Sequence, residues 1–448
     1  MAVYSIIDFE ALFPGMDIAA EHYHPDKLSA LQFLNAAGSS PLASIAPSIR
    51  RLVNWSPQTG LPVFDLGAAT SHILDSGQAI DEERISAKKL VRAGDILISR
   101  LRSYLKQVAI VPPSIKEAAV STEFIVLRPR ENMKGGFLLP FLLSNIVQTI
   151  LSWSQDGNEH PRFSEAVLLG LSVPKVVIEQ AETLNAQIRE VQRNAARARI
   201  LLAEAEAILT AALGLDRVDL TPRLFYEDTY AHVADVGRVD AEYFSPRMQN
   251  VIETLSIGGE TIGDVAPLAK RRFKPVPGNL FNYVEISDIG TAGTAGSSVV
   301  PGEDAPSRAT WIVRPGDIIT STVRPIRRLS AIILPEQDDF VCSSGFAVLC
   351  PRGIEPELLL TYLRLPLVAE LLDLHTTASM YPAISTSDLL RIPFRLPETR
   401  FRAKIVAKVR ESFAARADSL RLLAEAKLLV ETAIVNATSQ LSKAAKKG

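Results

Sequence analysis

The chain has 448 residues, of which 47% are hydrophobic and 22% charged, and its formal net charge is −2. These values are typical of a soluble protein of several domains, and no apolar run reaches the ~18 residues that a membrane span needs. The first residues lack the basic stretch of a secretory signal peptide. The two cysteines, Cys342 and Cys350, provide neither a disulfide framework nor a metal site and suit a reducing cytoplasm.

The charges are unevenly distributed along the chain. Residues 84–106 hold seven basic side chains and one acid, Asp95, and further basic clusters lie at 270–274 and 308–328. The net charge by itself argues mildly against nucleic-acid binding, since domains that bind nucleic acids are often basic. The clustering instead predicts a surface with separated positive and negative regions.

The sequence consists of one unit repeated twice. Residues 20–25 match 241–246, residues 91–99 match 313–321, and residues 121–129 match 343–351, so the offset stays at 221 or 222. Such a constant offset indicates a tandem duplication, and a search for repeats decides the architecture first.

Each unit opens with short apolar runs bounded by Gly and Pro, which predict strands at 95–98, 108–111 and 124–127 in the first unit. A helical stretch follows at 137–153 and again at 357–374. Polar loops come next, at 155–162 and 376–382. The pattern predicts α+β units with a mixed sheet.

Each unit ends in a long helix. In the first helix every third and fourth residue is apolar, and the heptad positions are Leu184, Ile188, Val191, Ala195, Ala198, Leu202, Ala205, Leu209 and Ala212. This spacing is typical of a coiled coil, and Gly214 is a plausible C-cap. The second helix carries Val406, Val409, Phe413, Leu420, Leu423, Val430, Ile434 and Ala437, with Arg416 and Lys427 also at heptad positions. Two amphipathic helices on separate cores are the alternative. The predicted domains are 1–178 and 214–397, each followed by its helix, 179–213 and 398–448.

The duplicated blocks Gly94–Ser99 and Gly316–Ser321, the segment Asp240–Pro246 and the two terminal helices together resemble the specificity subunit of a Type I restriction-modification system. The resemblance covers nearly the whole chain. It implies two α/β target recognition domains, each reading one half of a split target in double-stranded DNA, with their helices forming an antiparallel coiled coil.

The same resemblance implies partners in the cytoplasm. Two adenine methyltransferase (modification) subunits would dock on the helices and carry S-adenosylmethionine, and restriction-translocase subunits would join from outside. The chain itself would hold no cofactor and perform no chemistry. This agrees with the lack of a P-loop and of a catalytic constellation. A duplicated protein-interaction adaptor on a coiled-coil scaffold is the alternative function.

Three groups of residues are candidates for DNA contact. The first follows the matching strands and consists of Arg100, Arg102, Lys106, Arg324, Arg327 and Arg328. The second lies in the early loops and consists of Arg50, Arg51, Arg271, Arg272 and Lys274. The third lies in the polar loops and consists of Asn158, His160, Arg162, Ser379 and Tyr381. Arginine either reads guanine or grips phosphate. Solvated surface and ordinary turns are the alternatives. The target bases, the gap length and the choice between cleavage and methylation alone stay open.

Overall fold

The computed structural model describes residues 4–7, 19–36, 39–80, 85–130, 134–290, 292–377 and 380–445. The chain divides into two compact units, here called unit 1 (Met1–Ala196 with Arg416–Gly448) and unit 2 (Arg197–Ala415). Each unit therefore combines one globular body with one part of each long helix.

Unit 1 contains short strands and mostly short helices. Its strands are β1 (Ser39–Pro41), β2 (Leu52–Trp55), β3 (Val63–Phe64), β4 (Ser86–Arg92), β5 (Ile96–Ser99), β6 (Val108–Ile110), β7 (Glu117–Val120), β8 (Phe124–Leu127), β9 (Gln155–Asp156), β10 (Arg162–Phe163) and β11 (Ser172–Pro174). Its helices are α1 (Pro25–Ala36), α2 (Leu42–Ile45), α3 (Leu138–Leu143), α4 (Asn145–Ser152), α5 (Glu165–Leu169), α6 (Lys175–Glu179) and the first part of α7 (Ala181–Leu213).

Unit 2 has a similar but not identical order of elements. Its strands are β12 (Leu280–Val284), β13 (Ser298–Pro301), β14 (Ala309–Ile312), β15 (Ile318–Ser321), β16 (Ser330–Ile332), β17 (Val341–Ser343), β18 (Phe346–Leu349), β19 (Thr376–Thr377) and β20 (Ala383–Ile384). Its helices are α8 (Tyr230–Val236), α9 (Pro246–Leu255), α10 (Ile262–Val265), α11 (Pro356–Leu363), α12 (Pro366–Leu374), α13 (Thr386–Arg391) and the first part of α14 (Thr399–Ala445).

The sheets of the two units correspond in most strands. In the four-stranded sheets, β4, β7 and β3 match β14, β17 and β12, whereas β2 and β13 are added at opposite edges. Unit 1 has a four-stranded sheet in the order β2-β4-β7-β3 and a three-stranded sheet in the order β6-β5-β8, and unit 2 has β13-β12-β17-β14 and β16-β15-β18. Each four-stranded sheet has one parallel pair, β3 with β7 or β12 with β17, and is otherwise antiparallel. The predicted fold class, a duplicated α+β unit with a mixed sheet and a long terminal helix, is confirmed.

The central strands of the three-stranded sheets are fully buried. All four residues of β5 and all four of β15 lie in the interior. The apolar residues that begin each strand suit a strand covered on both faces, and the buried Ser99, Thr320 and Ser321 complete the two strands. In unit 1, α3 and α4 cover this sheet, and the same core includes Ile188 of α7 and Val430 of α14. The long helices are therefore part of the core of the unit.

The two long helices run antiparallel within each unit. In unit 1, the Ser419 hydroxyl donates to the carbonyl of Val191 at 2.9 Å, and Gln187 Nε2 donates to the carbonyl of Leu422 at 3.0 Å. In unit 2, the Ser412 hydroxyl donates to the carbonyl of Ala198 at 2.7 Å. From Val191 to Gln187 the residue number on α7 falls, while that of the partner on α14 rises from 419 to 422, so the two helices are antiparallel. The helix α7 ends at Gly214, whose φ of 74° confirms the predicted C-cap.

The structure changes the predicted packing face of α14. The α7 positions Leu184, Ile188, Val191, Leu202 and Leu209 are buried, as are Val409 and Val430 of α14, and Phe413 is half-buried. Leu420 was predicted to be buried and is instead 50% exposed, whereas its neighbour Ser419 is only 6% exposed. The small side chains of Ala195 and Ala198 on the facing helix allow serine hydroxyls to reach its backbone. Serine therefore occupies positions where an apolar side chain was expected.

This packing gives a prediction for stability. Leu423→Ala is expected to destabilise unit 1 by about 2–5 kcal/mol, because Leu423 is buried in its core. Leu420→Ala is the matched control, three residues earlier on the same helix, and is expected to change stability by less than about 0.5 kcal/mol. Urea denaturation followed by circular dichroism measures both. Equal losses of unfolding free energy in the two variants would show that Leu420 packs in the core as predicted from the sequence.

Among the described residues, no single helix is long and apolar enough to cross a membrane. One bent pair, residues 135–143 with 145–152, passes a test of length and composition. The residues of α3 in this pair are all buried in the core of unit 1.

Candidate nucleic-acid interface

The loop that follows β5 carries basic residues in a strained backbone. This segment, residues 100–106, is here called basic loop 1. A 3-10 turn at Ser103–Leu105 is flanked by Arg102 with φ of 50° and Lys106 with φ of 49°. Left-handed backbone costs a residue with a Cβ atom roughly 1–2 kcal/mol, so glycine usually takes such positions.

Unit 2 repeats this conformation in residues 322–328, here called basic loop 2. The turn Pro325–Arg327 is flanked by Arg324 with φ of 50° and Arg328 with φ of 56°. In the described part of the chain, six non-glycine residues have positive φ, and four of them are these loop residues. Backbone strain retained at matching basic positions in both units is typical of a functional element.

In each unit the polar loop predicted from the sequence lies against the basic loop. The polar loops are the turns of the hairpins β9–β10 and β19–β20. The amide of Arg102 donates to the carbonyl of Pro161, and the amide of Arg324 donates to the carbonyl of Pro382, both at 2.8 Å. Two of the three predicted groups of residues are therefore neighbours in each unit.

Side chains also join the two loops. In unit 1, Arg102 Nη2 lies 3.3 Å from His160 Nδ1, so the guanidinium donates and the ring nitrogen accepts. In unit 2, the guanidinium of Arg324 lies over the ring of Tyr381, 5.3 Å from its centroid. Tyr381 remains 67% exposed, and Asn158 and His160 are also exposed. Ser379 lies outside the described residues.

Glu123 holds two of the predicted arginines of unit 1. Its carboxylate accepts from Arg162 Nη2 at 3.0 Å and from Arg100 Nε at 2.9 Å. Hydrogen bonding to Arg162, with a further contribution from Arg100, lowers the pKa of Glu123 below its usual value. The repeat offset places Thr322, Gly345 and Ala383 at these positions in unit 2. Glu123 was not among the predicted site residues, although its replacement by glycine in the second repeat was a signal that could have been used.

The tips of the two basic loops have different chemistry. Basic loop 1 exposes Tyr104 (60%) and Leu105 (45%), whereas basic loop 2 exposes Ile326 (47%) and Arg327. Tyr104, Leu105 and Ile326 were not predicted, because exposed apolar residues look like core residues in a sequence.

The two basic residues at the ends of the turns also differ. Lys106 is exposed in basic loop 1. Arg328 in basic loop 2 donates to the carbonyl of Arg364 at 3.4 Å and lies 3.9 Å from the carboxylate of Glu206. Burial raises the pKa of Glu206, an effect that Arg364 and Arg328 oppose. These contacts connect Arg328 to α7 and to the segment between α11 and α12, which stabilises basic loop 2.

The early-loop arginines divide between structural and exposed roles. Arg50 pairs with Glu165 at 3.1 Å, and Arg271 pairs with the nearly buried Asp317. Arg271 was predicted to face DNA, but its guanidinium neutralises the buried carboxylate of Asp317. In unit 1, Arg128 neutralises the matching acid, Asp95. The counterpart of Arg128 in unit 2 is Cys350, so Arg271 takes this role there. Arg50 stays exposed in this ion pair, and Arg51, Arg272 and Lys274 are exposed as well, with Arg272 lying over the ring of Trp311 at 5.4 Å.

Among the residues that the structure describes, no group of three or more His, Cys, Asp or Glu side chains is placed to hold a metal ion. What the loops offer is guanidinium and ammonium groups beside aromatic and aliphatic tips. Groups of these kinds are the ones with which proteins contact phosphates and base edges.

The chain is similar to several solved structures. A structure from a study of assembly and conformational transition of the type I R-M system is 21% identical, with 90% of this chain and 97% of that chain covered and a TM-score of 0.29. The HsdS subunit from Thermoanaerobacter tengcongensis is 20% identical, with 90% and 96% covered and a TM-score of 0.28. The type I restriction-modification S subunit from M. genitalium is 12% identical, with 89% and 94% covered and a TM-score of 0.36.

These neighbours are specificity subunits or come from systems of the class that the sequence resembles. No protein-family model and no curated protein matches the chain. Because the TM-scores lie below 0.5, we base the function proposed below on the chain's own residues.

Proposed function

We propose that the chain is the non-catalytic DNA-recognition subunit of a Type I restriction-modification complex. The observation that carries this proposal is the pair of basic loops. The same strained backbone presents cations in both units, while the tips differ between Tyr104–Leu105 and Ile326–Arg327. A shared frame with different tips suits a protein that grips two stretches of DNA alike and reads two different sequences.

The positions of the loop residues support a separate role for each of them. Arg102 and Lys106 flank the tip of basic loop 1, where they would neutralise phosphates and position the unit on the duplex. Arg327 extends from the tip of basic loop 2 and is suited to a bidentate contact with guanine O6 and N7. Tyr104 and Leu105 offer apolar contact, which suits the methyl group of thymine.

Two linked recognition units also explain a split target. When one unit is bound, the second binds at an effective concentration that depends on the spacing of the two half-sites. The antiparallel helices α7 and α14 would form a coiled coil that sets this spacing and would dock two adenine methyltransferase subunits. Those subunits would carry S-adenosylmethionine, and restriction-translocase subunits would complete the complex in the cytoplasm.

Co-expression tests this proposal. The chain, produced with the adenine methyltransferase encoded beside it, is expected to form a complex of one copy of the chain and two methyltransferase copies, measured by native mass spectrometry. Sequencing of methylated adenines in the host genome is expected to find one motif with two specified halves and an unspecified gap. The chain without its partner serves as the control and should give no methylation.

Two outcomes would contradict the proposal. The first is that no methyltransferase encoded near the chain associates with it. The second is a stable complex that binds duplex DNA without sequence preference, which would favour the protein-interaction adaptor.

A further inference from the structure

Unit 1 contains a cleft of about 340 Å³ between its body and the helix α7. Its walls come from the turn between β4 and β5, from the segment after β8, and from residues 185–192 of α7. Among the described residues that line it, the charged ones are mostly basic. They are Arg92, Arg128, Arg130, Lys134 and Arg189, with one acid, Asp95.

The carboxylate of Asp95 in the cleft is already neutralised. Asp95 accepts two hydrogen bonds from Arg128, from Nε and from Nη2, each at 2.7 Å, and it also accepts from the amide of Arg92. Among the described residues, Arg92, Lys134 and Arg189 have no carboxylate partner. The cleft therefore concentrates unbalanced positive charge in a concave space.

Unit 2 provides an internal comparison, because carboxylates pair with its cations. Arg314, the counterpart of Arg92, lies 3.0 Å from Asp338 and 2.8 Å from Asp339. The repeat offset of 222 places Lys116 and Glu117 at these two acidic positions in unit 1.

The pairing extends to the long helix of unit 2. Two arginines of α14, Arg402 and Arg410, pair with Glu355 at 2.9 Å and with Glu357 at 2.6 Å. The same offset places Met133 and Gly135 at these positions in unit 1. At three of these four acidic positions, unit 1 therefore has a residue that is not an acid.

The cleft lies away from the candidate DNA surface of the same unit. Asp95 precedes β5, whereas basic loop 1 follows it, so the four residues of the strand separate them by about 13 Å. None of the described residues that line the cleft is aromatic, so they offer no stacking platform for a base. Its volume is at the lower end of the range for small-ligand sites.

We propose that this cleft binds a compact, multiply charged oxyanion, namely a phosphate, diphosphate or triphosphate group. Arg92 and Lys134 on the body and Arg189 on α7 would contact it from opposite walls. Guanidinium groups bind phosphate oxygens in pairs, and a concave basic site strengthens such contacts. A bound anion would join the body to the helix within unit 1. The ligand could be free inorganic phosphate compounds or the phosphate end of a nucleotide, since both present the same chemistry.

Titration calorimetry of the full chain with inorganic triphosphate at fixed salt tests the proposal, with thermal unfolding as a second measurement. Wild type is expected to bind and to unfold at a higher temperature with the ligand present. Arg189→Gln and Arg92→Gln are each expected to weaken binding by about tenfold or more, since each removes charge-assisted hydrogen bonds. Lys116→Asp, which copies the acid of unit 2, is expected to weaken it as well. Arg314→Gln in unit 2 is the matched control and should bind as wild type does.

ATP, a pentaglutamate peptide and a DNA duplex complete the experiment. Equal binding of triphosphate and ATP supports recognition of phosphate alone, and tighter binding of ATP supports a nucleotide source. Pentaglutamate binding more tightly than triphosphate would overturn the proposal in favour of an acidic protein segment. Displacement of triphosphate by the duplex would overturn it in favour of the DNA backbone. Wild type that fails to bind, or equal losses in Arg314→Gln and Arg189→Gln, would also overturn it.

Discussion

A complex whose α7 and α14 are each lengthened by one heptad is expected to methylate a target whose gap is longer by about three base pairs. Seven helical residues add about 10 Å at ~1.5 Å per residue, and one base pair rises ~3.4 Å. The insertions belong after Ala196 and after Ala415, because Ala198 faces Ser412 and Val191 faces Ser419. A whole heptad preserves the apolar face, so folding is expected to survive.

Rotation lowers the expected activity of this variant without changing the direction of the shift. Three base pairs turn the second half-site by roughly 100° on duplex DNA of ~10.5 base pairs per turn. Sequencing of methylated adenines measures the result, and the half-site sequences themselves should not change. A heptad inserted into α7 alone is the control, since it places facing positions out of register and should lower the unfolding temperature. Methylation at the original spacing by a folded, doubly lengthened protein would show that the helices do not set the gap.

The second large effect is expected at the basic loops. Arg327→Ala is expected to weaken DNA binding by the assembled complex by about 1–3 kcal/mol and to relax the preference at one base pair, if the side chain reads guanine. Arg102→Ala is expected to weaken binding to all sequences alike and to reduce the salt dependence, as loss of a phosphate contact does. Fluorescence anisotropy over a series of salt concentrations, with matched and single-substituted duplexes, separates the two behaviours.

Two further variants sharpen this experiment. Arg327→Lys keeps the charge and removes the planar fork, so it should retain affinity for nonspecific DNA while losing base preference. Arg217→Ala removes an exposed arginine of unit 2 outside the basic loop, and it should bind as wild type does. If Arg102→Ala and Arg327→Ala both bind and methylate normally, the basic loops are solvated surface.

The sequence predicted the architecture well because the duplication repeats most of the elements. It predicted the packing face of α7 because that face is apolar throughout. It failed at Leu420 because Ser412 and Ser419 occupy packing positions on α14. Whether a serine is buried depends on the opposite helix, and the alanines there decided it. A heptad pattern read from one helix cannot include that information.

The sequence identified residues of the candidate interface one by one, but it did not show which of them lie close together. Arg102 and His160 were both selected from the sequence, yet their proximity depends on the hairpin β9–β10 folding against basic loop 1. Local composition also cannot tell an exposed arginine from one that neutralises a buried acid. Arg271 was chosen for its basic neighbours, and its partner Asp317 lies 46 residues further along the chain.

In each basic loop, left-handed residues flank a tip of two residues that differs between the two units. The backbone at Arg102 and Arg324 is held by hydrogen bonds to the neighbouring hairpin, and none of these bonds involves the tip side chains. A change at residues 104–105 or 326–327 therefore need not disturb the core. Under the proposed function, new target sequences would arise through two-residue changes, without the loss of stability that remodelling a loop usually brings. An engineer could retarget one half-site in the same way by exchanging the tip of unit 1 for that of unit 2.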